Sequence, residues 1–98
     1  LRAAPHPGTR PSHDLMDFAG DYVHPAFGPM QVRIEDGGDA LRLVFPARTV
    51  ALKHYHYDVF SSAQGWLVQF AANAAGEIDS VSVPLEPAAR PVVFTRRR

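Results

Sequence analysis

At 98 residues, 46% of them hydrophobic, the chain has material for one core and is too short for two. It contains no cysteine, which excludes disulfide staples and thiolate chemistry. Its ten basic and ten acidic side chains cancel, so nothing in the overall balance attracts a phosphate backbone or an anionic membrane.

Residues 1–14, "LRAAPHPGTRPSHD", hold three prolines and a glycine without apolar periodicity. They read as an interdomain linker or disordered lead-in, followed by a single β domain over 15–98. The first residue is Leu1 with no signal-peptide pattern behind it, and the chain reads as a piece of a longer polypeptide. "MDFAGDYVHP" is expected to open with a helical turn over Asp14 to Phe18 and to become a strand around Tyr22, with Gly20 as the hinge. Asp14, Asp17 and Asp21 along it serve capping and solubility.

From there the dominant period is two. Met30, Val32 and Ile34 alternate with Gln31, Arg33 and Glu35, as on a half-buried strand. "DGGD" (36–39) offers a tight turn, and Leu41, Leu43 and Phe45 return on one face, which makes a β-hairpin ended by Pro46. "TVALKHYHY" is the next strand, with Val50, Leu52, His54 and His56 on one face and Ala51, Lys53, Tyr55 and Tyr57 on the other. After "SSAQG", Trp66, Val68 and Phe70 share a face. "NAAG" then turns the chain into a strand whose inward row is Val81, Val83 and Leu85. Ile78 is out of phase with that row, which calls for a bulge near Asp79. "PAARP" separates it from a closing strand, "VVFT", and the terminal Arg96, Arg97 and Arg98 read as a solvated end. About seven or eight short strands with frequent turn signals specify an all-β antiparallel meander, a curved sheet or lipocalin-like barrel. Apolar runs of only a few residues give no membrane span.

The chemistry-bearing stretch is "LKHYHYDVF". His54 and His56, two apart on a strand, could present two imidazoles to a metal, with Asp58, His24 or His13 completing the set, but no third ligand sits at a fixing distance in sequence. The preferred reading has neutral imidazoles bonded to carbonyls near a strand end, so no metal and no cofactor is expected. Asp58 reads as the acceptor of a local turn. Ser61, Ser62, Ser80 and Ser82 lie in no nucleophile motif, and no catalytic residue is assigned. If the concave face holds a ligand, the residues to hold it are His54, His56, Tyr57, Asp58 and Trp66. Inward Phe45, Phe60, Phe70 and Trp66 argue instead for a filled interior.

Three features in register carry a resemblance. Phe18, Gly20 and Tyr22 are followed by Phe27 and Gly28. Then come Leu52, His54, Tyr55, Tyr57, Asp58 and Phe60, and finally Phe94 and Arg96. This pattern, over roughly residues 15–96, resembles the small C-terminal domain of unknown function appended to many β-lactamase-related serine hydrolases, relatives of penicillin-binding proteins and class C β-lactamases. Phe18, Phe27, Tyr55 and Val59 depart from that family's usual tyrosines, tryptophan and threonine. The resemblance implies a bacterial, exported or envelope-facing parent, and with the linker and the missing nucleophile motif it leads to a non-catalytic accessory domain whose partner is its own N-terminal catalytic domain. The concave face offers a small apolar ligand or a cell-wall peptide or glycan fragment as an alternative partner, and an exposed strand edge a homodimer. Nucleic acid is not among them.

Overall fold

The structure, a computed structural model, describes residues 8–35, 40–85 and 90–97. After a helical turn, α1 (Leu15–Phe18), come eight strands: β1 (Gly20–His24), β2 (Gly28–Ile34), β3 (Leu41–Val44), β4 (Thr49–His56), β5 (Val59–Ser61), β6 (Leu67–Ala72), β7 (Ile78–Val83) and β8 (Val92–Arg96). Each pairs antiparallel with its neighbour in sequence, and β8 returns to β1 through Tyr22 opposite Arg96 and Val23 opposite Thr95, closing a barrel. Closure leaves no edge strand, which is how so short a chain protects its backbone polar groups. Among the described residues no helix is long and apolar enough to cross a membrane.

Alternation explains the interior. The expected hairpin forms with Val32 opposite Leu43 and Ile34 opposite Leu41, and the inward row Met30, Val32, Leu41 and Leu43 is buried. Its turn, 36–39, lies outside the described residues, as do residues 1–7 of the lead-in, 86–89 of the last connection and Arg98. Tyr22, Val50, Leu52, Phe60, Val68, Phe70, Ile78, Val81, Val83 and Phe94 complete the wall of the core. Phe18, Phe60 and Phe70 meet edge to face, with centroids 4.9–5.6 Å apart, in the geometry ring quadrupoles favour. The barrel is filled with side chains.

Two bulges set the register. Phe70 faces Val81 and Ala71 faces Ser80, but Ala72 faces Ile78, so Asp79 is the additional residue, where the phase break in the sequence places it. The second was not expected. His54 faces Phe60 while His56 faces Val59, which leaves Tyr55 as the extra residue of β4. A one-residue insertion reverses inside and outside beyond it. His54 therefore follows buried Phe60 inward, and His56 follows Val59 to the outer wall. The two imidazoles do not share a face, contrary to strict alternation through His56.

Candidate functional site

Successive hairpins place their turns at alternate ends of an up-and-down barrel, so every chemistry-bearing residue near a turn belongs to one end or the other. The connections β2–β3, β4–β5 and β6–β7 make one end, together with α1 and the C-terminus of β8. The connections β1–β2, β3–β4, β5–β6 and β7–β8 make the other.

The first end is capped. Phe18, carried by α1, is fully buried beneath the cap, and the buried Tyr22 hydroxyl donates to its carbonyl at 2.8 Å. Outside it runs the lead-in. Thr9 Oγ1 accepts from Tyr57 N at 3.2 Å. The Asp58 carboxylate accepts from Ser12 N and from Ser12 Oγ, each at 2.7 Å. Ser12 Oγ also lies 2.7 Å from His13 Nδ1, and the far ring nitrogen of His13 bonds the Gly76 carbonyl. His54 Nε2 bonds the Tyr57 carbonyl at 2.7 Å while its ring stands edge-on to Phe60. Tyr57 takes φ +47°, a left-handed conformation that costs a non-glycine residue on the order of 1–2 kcal/mol and that this tight hairpin requires. Asp58 thus ties a turn to a segment 46 residues away rather than closing a turn of its own.

Arg96 completes the cap. Its guanidinium donates to the carbonyls of Ile78, Asp17 and Ala19 and lies 5.3 Å from the centroid of the Tyr22 ring. The solvated end expected of the terminal arginines is thus incorrect for Arg96, which is half-buried and satisfies three backbone acceptors. Gly20 makes room for it: a Cβ there would meet Arg96 Nη2 at 3.1 Å, and its φ of +152° excludes most side chains. Asp14 stands at the N-cap of α1 without a side-chain cap bond.

The opposite end is an aromatic mouth. Phe45 lies 6.5 Å from Trp66 and 6.3 Å from Phe94 between ring centroids, and the His24 ring touches Phe27 and Phe94. His24 Nδ1 accepts from the backbone N–H groups of Ala26 and Phe27, which fixes the β1–β2 turn. The Arg48 guanidinium carbon sits 4.9 Å from the centroid of Trp66 and 6.0 Å from that of Phe45. Phe27 is 45% exposed. A surface depression of about 470 Å³ is lined by Phe27, Phe45, Pro46, Ala47, Arg48 and Leu85.

Residues nominated together from the sequence are therefore dispersed. His54, Tyr57 and Asp58 belong to the capped end, His56 lies on the outer wall with its ring tilted against that of Tyr55, and Trp66 stands at the mouth. His24 and His13, weighed as further ligands, lie at opposite ends. Among the described residues, no group of three or more His, Asp or Glu side chains converges as a metal site would. Sequence reasoning missed Arg48, Phe27 and the partner role of Ser12. A signal for the mouth existed: Phe27, Phe45 and Trp66 each flank a glycine or proline at every second turn, the turns a meander brings to one end.

A family model described as a domain of unknown function (DUF3471) matches residues 4–96. Neither the curated proteins nor the solved structures contain a match to the chain.

Proposed function

The chain belongs to the DUF3471 family, whose description assigns no activity, and we propose that it is a non-catalytic accessory domain of a β-lactamase-like or penicillin-binding-protein-like serine hydrolase. In this reading the barrel packs on or beside a catalytic domain N-terminal to it and adjusts that domain's stability or access, in an exported or envelope-facing bacterial enzyme. The observation that carries the reading is the filled interior. Phe18, Phe60 and Phe70 occupy the volume that a ligand-carrying barrel leaves open, so the barrel presents only its surface to other molecules. The lead-in supports it as well. Bonded to the β4–β5 and β6–β7 turns, it holds whatever precedes it near the capped end.

The experiment compares the intact parent polypeptide with a version lacking the barrel, and both with the barrel alone. Loss of the barrel is expected to lower the parent's melting temperature or change its KM, while residues 1–98 hydrolyse neither a chromogenic cephalosporin nor a p-nitrophenyl ester. Turnover by the barrel itself, lost on joint replacement of His54 and Tyr57, would refute the proposal. So would an upstream sequence without a serine–lysine catalytic motif.

A further inference from the structure

The mouth has features that an accessory packing role does not use. The connections that meet there bring His24 and Arg48 beside the aromatic rings, and none of their described residues carries a carboxylate. Arg48 is held by ring contacts alone: among the described residues its guanidinium makes no ion pair and no side-chain hydrogen bond. A guanidinium seated on aromatic rings keeps its planar set of N–H donors for a ligand and has already given up rotamer freedom, so less entropy is lost when it pairs. Beside it, Phe27, Phe45, Pro46 and Leu85 offer an apolar floor, and the depression is of the size that takes small molecules.

We infer that this end of the barrel binds a small apolar carboxylate. The ring or chain of the ligand lies against Phe27, Phe45 and Leu85, and its two oxygens pair with the Arg48 guanidinium. The planar fork of arginine matches a carboxylate with two parallel bonds, which a neutral amide of the same shape cannot reproduce. Specificity therefore rests on the charge, and affinity on both halves. The inference stands apart from the accessory reading, since it concerns the 98-residue chain alone.

Phenylacetate and phenylacetamide, titrated separately into the ¹⁵N-labelled protein, test it. Trp66, the single tryptophan, reports through its indole N–H, and Arg48 through Nε–H. The acid is expected to shift both signals and to bind about tenfold more tightly than the amide, a difference of about 1.4 kcal/mol. Arg48→Gln should abolish that preference while the rest of the spectrum keeps the barrel pattern. N-acetyl-phenylalanine carries the same chemistry as a peptide C-terminus. Its strength relative to phenylacetate distinguishes a peptide end from a free acid as the source. Equal binding of acid and amide, a preference that survives Arg48→Gln, or shifts confined to the Ser12–Gly76 end would overturn the inference.

Discussion

The two ends of the barrel spend similar residues in opposite ways. At the capped end, aromatic rings are buried and polar side chains bond backbone groups distant in sequence: Asp58 with Ser12, His13 with Gly76, Arg96 with Asp17, Ala19 and Ile78. At the mouth, rings remain partly in water and an arginine rests on them without a carboxylate among the described residues. The bonds of the capped end lie at the surface or are half-buried, and each contributes on the order of 1 kcal/mol by joining segments far apart in the chain. Groups left at an open rim contribute little to folding and stay available to another molecule. One end is committed to stability and the other is not.

That contrast can be broken by mutation. Phe18→Ala should have the largest effect, about 3–5 kcal/mol of unfolding free energy in a urea titration, because it empties the centre of the cap. Arg96→Leu keeps the bulk and removes the donors, leaving three carbonyls short of a partner at a cost of about 2–3 kcal/mol by the same measurement. Ser12→Ala should cost about 1 kcal/mol, and its signature is faster hydrogen exchange in the lead-in with exchange in β2 and β3 unchanged. At the other end, Phe27→Ser should change stability by less than about 0.5 kcal/mol. If Phe27→Ser proves as damaging as Phe18→Ala, the mouth is part of the structural core and the division between the ends fails.

Much of the architecture was readable because period two is a local property. Met30 through Phe45 declare a hairpin whose turn need not be seen, and the phase slip at Ile78 points to the Asp79 bulge. The Tyr55 bulge was not readable. Histidine and tyrosine suit an inner rim or an outer wall equally, so "HYHY" contains no residue whose burial would betray a change of phase. Arg96 was misread for a different reason. A run of terminal arginines looks solvated until one knows that Asp17, Ala19 and Ile78 turn their carbonyls to one point. Likewise Ser12 and Asp58 become partners only through closure, and Arg48 joins Trp66 only because alternate turns converge. Sites assembled from separate connections leave no motif.

The clasp between Arg96 and Ala19 spans 77 residues, which dictates when the molecule can become whole. Until β8 has been synthesised, β1 has a neighbour on one side only, and the carbonyls of Asp17 and Ala19 lack the guanidinium that fixes α1 over the barrel opening. The barrel therefore stays open along β1 until its last strand has emerged. Such delayed completion makes folding slow and the growing chain dependent on protection from its neighbours.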